Sequence, residues 1–205
     1  MEARRRLLMM RQSVPPSGYR FIAYARAGAG HVILPFGFDK TDEVITKASC
    51  ESLGLDKFII APKTWNDNHN RFAIVGGPYA DNFGIGYGDI PTTNSACYWP
   101  LSVIQRDKGF HIWVYKDYRF SIDGINNKLD VSTITFAHGT ENLLMFYGFS
   151  TNTSGKIAYY RHKKANGITY NIVPIQHKTT SVVEMYDTVS KTIMPRTGTL
   201  YPPEE

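Results

Sequence analysis

Short runs of apolar and aromatic residues, separated by turn-forming residues, fill the chain from Lys116 to Glu205. The runs have the length of β-strands, and several of them alternate apolar with polar positions. The predicted elements are, in chain order, a strand at 120–122, a turn at Asp123-Gly124, strands at 143–147 and 156–160, a turn at Asn166-Gly167, a strand at 168–174, and a closing phrase at 182–191. The spacing predicts antiparallel strands.

The same pattern is present nearer the N-terminus. An apolar strand is predicted from Tyr19 to Tyr24, then a turn at Gly28-Ala29-Gly30 and an apolar stretch over 31–38. Further predicted strands lie at 43–48, 58–61, 71–76, 83–87 and 110–115. The 205 residues include 17 Gly, 11 Pro, 13 Tyr and 11 Phe, which favours strands with many turns over a helical bundle. We therefore predict an all-β protein, a single antiparallel β-sandwich.

We predict two parts of the chain. Residues 1–18 form an N-terminal arm with a Pro-rich linker, and residues 19–205 form the sandwich. The arm combines basic with consecutive apolar side chains: Arg4, Arg5, Arg6, Leu7, Leu8, Met9, Met10 and Arg11. Pro15 and Pro16 then favour an extended linker, and Gly18 permits a change of direction. Two interpretations stay open. The arm is either a frayed terminus or an anchor that docks its apolar side chains on a partner while its arginines pair with carboxylates.

Charge and cysteine content argue against a nucleic-acid-binding protein and against a zinc site. The net charge is +5, but outside the arm the basic residues are dispersed, whereas nucleic-acid-binding proteins concentrate them in a dense patch. We therefore predict no nucleic-acid partner. Cys50 and Cys97 lack the neighbouring residues of a zinc site and are better interpreted as buried thiols, although the sequence leaves a bridge between them open.

The arm also differs from a signal peptide, because its four apolar residues fall short of the roughly 7–15 that such a segment requires. No stretch approaches the ~20 apolar residues of a membrane span. We expect synthesis in a bacterial cytoplasm and no membrane partner.

The C-terminal elements resemble the second half of the concanavalin A-like (LamG-like) jelly rolls in structural proteins of bacteriophages and Bacteroides. That family has a Lys-Ile-Tyr strand, then a Phe-Val-Pro strand, then a Met-Tyr-Asp turn. The matching residues here are Lys156-Ile157-Ala158-Tyr159-Tyr160, Ile172-Val173-Pro174 and Met185-Tyr186-Asp187. The Arg-Arg-Arg-Leu-Leu-Met opening is similar to that of relatives in this group, and the resemblance includes virion proteins of crAss-like phages. It is looser in the first half, where 31–37 lacks the family's polar pattern.

The resemblance also includes glycoside hydrolases of the laminarinase kind, whose catalytic strand carries Glu-x-Asp-x-x-Glu so that two carboxylates share one face. That motif is absent here. The chain has seven Glu, and no two of them are alternating neighbours within one predicted strand. We therefore predict a protein without enzymatic activity.

The stretch most typical of a binding site lies at 64–71, with Trp65 beside Asn66, Asp67, Asn68 and His69. Lectins of this fold class place an aromatic face against a sugar ring and use amides and carboxylates for its hydroxyls, in some cases through Ca²⁺. Tyr98 and Trp99 are candidates for a second aromatic platform. The alternatives are a turn whose Asn and Asp side chains bind their own backbone and a core position for Trp99. We predict no cofactor, and calcium is left open.

Met185-Tyr186-Asp187 is predicted to be structural, as a turn that closes a pair of strands. We expect the Tyr186 ring to be buried and Asp187 to accept backbone N–H groups in an Asx-type turn.

The resemblance and the arm together imply a non-enzymatic virion structural protein, either a capsid decoration protein or a head- or tail-fibre component. We expect the arm to bind other virion proteins and the sandwich to lie on the virion surface as a homo-oligomer. The alternative function is a carbohydrate-binding module for host-surface glycans. Host, receptor and position in the particle are not determined by the sequence.

Overall fold

A computed structural model describes residues 13–50, 58–63, 73–75, 82–86, 96–100, 109–126, 132, 140–147 and 155–204. Within these ranges the chain forms sixteen strands and no helix. The strands are β1 (Tyr19–Phe21), β2 (Ala25–Ile33), β3 (Glu43–Cys50), β4 (Phe58–Pro62), β5 (Ala73–Val75), β6 (Asn82–Gly86), β7 (Ala96–Pro100), β8 (His111–Lys116), β9 (Arg119–Ile122), β10 (Ile125–Asn126), β11 (Leu143–Tyr147), β12 (Gly155–Lys163), β13 (Thr169–His177), β14 (Val183–Asp187), β15 (Thr192–Ile193) and β16 (Arg196–Tyr201). The all-β prediction is confirmed.

Hydrogen bonds join the sixteen strands into one sheet in which every strand pair is antiparallel, and we describe this sheet as two parts. The first part has the order β10-β9-β8-β3-β12-β13-β14-β15, with β1 also paired to β13. The second part has the order β16-β2-β11-β4-β5-β6-β7. The parts meet where Lys156 and Ile157 of β12 pair with Arg26 and Ala25 of β2. One branched sheet therefore supplies both parts.

The two parts enclose one hydrophobic core. In β8, buried His111, Trp113 and Tyr115 alternate with the more exposed Ile112 and Val114, as the two faces of a strand require. The core cluster takes Trp113, Tyr115, Phe120, Tyr160 and Met185 from the first part and Val32, Ile60, Ile74, Met145 and Leu200 from the second. Shared burial of both inner faces defines the predicted β-sandwich.

The predicted turn at Gly28-Ala29-Gly30 is wrong, because these residues lie inside β2. Strand β16 pairs along β2 with Gly198 opposite Gly30. A Cβ at Gly28 would collide with the carbonyl of Thr199, and one at Gly30 with that of Thr197. Gly30 also has a φ of +116°, which L side chains rarely adopt. The Gly-Ala-Gly sequence therefore marks a close approach of two backbones rather than a chain reversal.

Two other boundaries differ from prediction. The strand predicted from Tyr19 to Tyr24 ends at Phe21, and β2 begins at Ala25. Met185-Tyr186-Asp187 was predicted as a turn but forms the end of β14, and the turn follows at 188–191. The phrase belongs to a strand because its residues pair with Ile172, Val173 and Pro174 of β13.

Candidate functional site

Three buried polar side chains and one partly exposed lysine form a group that we call the Asp42 cluster: Asp42, Tyr160, His162 and Lys164. Tyr160 and His162 lie two positions apart in β12, so both face the interior. Asp42 immediately precedes β3, whose first residue pairs with Lys163. The β3–β12 register therefore places the Asp42 carboxylate beside His162.

The cluster is a continuous chain of hydrogen bonds. The Tyr160 hydroxyl lies 2.9 Å from His162 Nδ1, and His162 Nε2 lies 2.8 Å from Asp42 Oδ2. Lys164 Nζ donates to the same Oδ2 at 2.7 Å and to the Gly37 carbonyl at 3.1 Å. Tyr160 and His162 have no exposed surface, and Asp42 is 1% exposed. The carboxylate therefore has its counter-charge and its donors within the protein.

Burial and hydrogen bonding decide which atoms carry protons. Burial lowers the pKa of His162, and its bond to Asp42 only partly offsets this. Burial alone would raise the pKa of Asp42, but donors including His162 and Lys164 outweigh it and lower the pKa. Burial, with the Asp42 charge, raises the pKa of Tyr160 well above its ordinary value. At neutral pH Tyr160 therefore donates to Nδ1 of a neutral His162, which donates from Nε2 to Asp42.

This arrangement shares a His–carboxylate pair with catalytic triads. The difference lies at the other ring nitrogen, Nδ1, which binds the buried Tyr160 hydroxyl where a triad would hold a nucleophile facing a cleft. Phe36 packs edge-on against the imidazole, with ring centroids 4.8 Å apart. The geometry suits a structural tie between the loop before β3 and strand β12.

A surface groove of about 730 Å³, which we call the terminal groove, lies beside the start of the sandwich. Arg20 donates from Nη2 to Gln176 Oε1 at 2.7 Å, and Arg26 donates from Nε to the Pro202 carbonyl at 2.8 Å. Arg26 Nη1 also pairs with Glu204 Oε1 at 2.5 Å. The groove is lined by Arg20, Phe21, Ile22, Ala23, Arg26, Gln176, Pro202, Pro203 and Glu204. Two guanidinium groups thus lie on an open surface that can accommodate carboxylates.

The outer face of the sandwich carries a row of aromatic and cationic side chains in which each cation lies beside one ring. We call it the outer-face stripe, and its members are Tyr201, Arg26, Lys156, Tyr24, Phe110 and Lys47. The charged group of Arg26 lies 5.9 Å from the Tyr201 ring centre, that of Lys156 lies 5.8 Å from Tyr24, and that of Lys47 lies 5.8 Å from Phe110. The Tyr24 and Phe110 rings are 5.2 Å apart and tilted by 58°.

Strand alternation places the stripe outside the core. Ala25, Ala48 and Ile157 are fully buried, so their neighbours Arg26, Lys47 and Lys156 belong to the opposite face. Tyr201 is 38% exposed, and the other five members are partly exposed. The cations therefore meet solvent while their aliphatic stems and the rings cover the sheet.

Most residues of the predicted sites lie outside the described ranges. These are the arm residues Arg4, Arg5, Arg6, Leu7, Leu8, Met9, Met10 and Arg11, and the loop residues Trp65, Asn66, Asp67, Asn68 and His69. Tyr98 and Trp99 lie in β7, where they pair with Gly84 and Phe83 of β6.

The structural role predicted for Asp187 is confirmed. Its Oδ1 accepts the backbone N–H groups of Asn171 at 2.8 Å and Val189 at 3.1 Å, and its Oδ2 accepts that of Ser190 at 3.1 Å. Tyr186 is 3% exposed, as predicted. The carboxylate closes the turn after β14 and also binds it to β13.

No protein-family model matches the sequence, and comparison with curated proteins gives no match. Among the residues that the structure describes, no three His, Cys, Asp or Glu side chains are grouped to hold a metal ion. The same residues contain no helix that is long and apolar enough to cross a membrane.

Sequence reasoning missed both the Asp42 cluster and the outer-face stripe. His162 lies 120 positions from Asp42, and only strand pairing brings them together. The sequence did contain a signal for the Asp42 cluster. His162 lies two positions after Tyr160 and therefore faces the interior with it, on a strand whose inner face is otherwise apolar. The stripe gives no comparable signal, since its members come from five separate stretches of the chain.

Proposed function

We propose that this chain is a non-enzymatic structural protein of a bacteriophage virion, either a capsid decoration protein or a head- or tail-fibre component. Its resemblance to concanavalin A-like phage proteins supports the proposal, together with one structural observation. The segment that enters the sandwich is fixed in place, because Tyr19 N donates to the Pro16 carbonyl at 3.0 Å and Lys178 N donates to that of Gly18 at 2.8 Å.

A fixed entry point favours an anchoring arm. The φ of +83° at Gly18 turns the chain into β1, and β1 pairs with β13 at once. The Tyr19 ring also packs edge-on against His177, with centroids 5.0 Å apart. The arm is therefore joined to the sandwich at a defined place, the start of β1. An arm bound to a particle would then hold the sandwich at a defined position, whereas a flexible linker would let it move.

In this proposal the arm residues 4–11 bind other virion proteins and the homo-oligomeric sandwich is displayed on the virion surface. The test is to delete residues 1–12 and to assemble particles with only the truncated protein. We expect unchanged thermal unfolding and loss of the protein from purified particles. A matched control replaces residues 1–12 with a Gly-Ser segment of equal length and should also be lost. Incorporation of either variant at the parental level would overturn the anchoring role.

The proposal also includes the absence of catalysis, which is tested directly. Purified protein should release no reducing ends from β-glucans or from other bacterial and host polysaccharides. Turnover that is abolished by a single Asp or Glu substitution would contradict this part.

A second candidate function, binding of host-surface glycans, is favoured by the outer-face stripe, because aromatic rings beside polar groups are typical of sugar-binding surfaces. The sequence predicts this site at Trp65–His69 with Tyr98 and Trp99. A soluble glycan that changes the fluorescence of Trp65 would support that location. If a glycan binds measurably but the fluorescence of Trp65 does not change, the glycan site lies elsewhere on the protein.

A further inference from the structure

We infer that the outer-face stripe binds an anionic polysaccharide, with sugar carboxylates on its cations and sugar C–H groups against its rings. The inference rests on the second proposed function and specifies both its location and the charge of its ligand. It does not depend on anchoring by the arm.

The first argument is the placement of like charges. Arg26 of β2 and Lys156 of β12 are directly opposite each other in the strand register, and therefore lie on the same face. Like charges in this position destabilise a strand pair, whereas an anion placed between them converts repulsion into two attractions.

The second argument is that a carboxylate already occupies one end of the stripe. Glu204 binds Arg26 through Oε1, and its side chain is 63% exposed. An exposed ion pair of this kind contributes little stability. A carboxylate from a ligand can therefore replace Glu204 at Arg26 at small cost, and the contact shows that the guanidinium group is accessible to such a partner.

The third argument concerns the rings and distinguishes a polysaccharide from a single-stranded nucleic acid. Successive bases stack on aromatic faces, but each ring of the stripe has a cation near one face, and Tyr24 and Phe110 are tilted by 58°. A sugar ring carries its carboxylate at its edge and its C–H groups on its face, so it can contact a cation and the adjacent ring together. The pairing of each cation with an adjacent ring fits a chain of acidic sugars.

The probes are polygalacturonate and its methyl-esterified form, in which each charged carboxylate is replaced by an uncharged methyl ester on the same sugar chain. Binding is measured by affinity electrophoresis and calorimetry on the full chain, at low and at physiological salt. We expect polygalacturonate to bind, the ester to bind at least about tenfold more weakly, and salt to weaken binding.

The decisive variant is Lys47→Gln/Lys156→Gln, which should weaken binding by about tenfold or more. Its matched control, Lys63→Gln/Lys191→Gln, removes the same charge at exposed positions away from the stripe and should bind as the parent does. Tyr24→Ala should weaken binding by several fold, and Glu204→Gln should strengthen it. Thermal unfolding of each variant confirms that it is folded.

Several results would overturn the inference. These are no binding by the parent, equal binding of acid and ester, equal losses in the two double variants, or preferential binding of single-stranded DNA. If glycan binding persists in Lys47→Gln/Lys156→Gln but is lost when Trp65 is replaced, the stripe is refuted while the glycan function stands.

Discussion

Replacing Asp42 with alanine tests whether the Asp42 cluster holds the sandwich together. The carboxylate accepts from His162 Nε2 at 2.8 Å, Lys164 Nζ at 2.7 Å, Asp39 N at 2.8 Å and Ala165 N at 3.2 Å. Lys164 can turn toward solvent, since its side chain is 21% exposed, but His162 has no exposed surface. A buried donor without a partner costs about 1–3 kcal/mol. With the two backbone donors added, we expect a loss of about 3–5 kcal/mol, the usual range for a broken buried ion pair.

The assay is equilibrium unfolding in urea, followed by circular dichroism. Asp42→Asn keeps one oxygen acceptor and should cost less, about 2 kcal/mol. Thr41→Ala is the matched control, because its hydroxyl makes an exposed bond to Asp39, and it should change stability by less than about 0.5 kcal/mol. If Asp42→Ala unfolds at the same urea concentration as Thr41→Ala, the cluster does not contribute to stability and the argument from burial is refuted.

The remaining predictions concern pH and the end of β14. The folded-state pKa of His162 lies below 6.5, so the unfolded chain takes up this proton first as pH falls, and stability should decline from about pH 6.5 downward. In urea titrations His162→Gln should reduce that slope and leave the part due to His31, whose pKa burial also lowers. The pKa of Asp42 is lowered from 3.8, so its share of the stability should be lost only below that pH. Asp187→Ala removes the acceptor of three backbone N–H groups and should cost about 3 kcal/mol in urea unfolding, more than one local bond would; a loss near 1 kcal/mol would mean that water replaces the carboxylate. Tyr186→Ala should cost about 3–5 kcal/mol, as for a buried aromatic ring, and a variant that melts like its parent but loses a binding partner would place Tyr186 in a functional site.

The local pattern of apolar and polar residues was sufficient to predict those strands whose own residues favour a β-strand. Strands β4, β8, β11 and β12 lie where the apolar positions predicted them. In β8 buried and more exposed residues alternate, whereas β4 and β11 are continuous apolar runs whose side chains at 59–62 and 143–146 are all buried. The Asx turn at Asp187 was likewise predictable, since its acceptor and two of its three donors lie within three residues of each other.

The sequence by itself thus determined the all-β class, most of the strands and the turns at Asp123-Gly124 and Asn166-Gly167. Only the tertiary structure decided that Gly28 and Gly30 belong to a strand, because the reason is the backbone of β16, about 170 residues away in the chain. It also decided the Asp42 cluster and the outer-face stripe, whose members come from stretches far apart in sequence. Pairing of distant strands sets which side chains become neighbours, and no local pattern of apolar and polar positions contains that register.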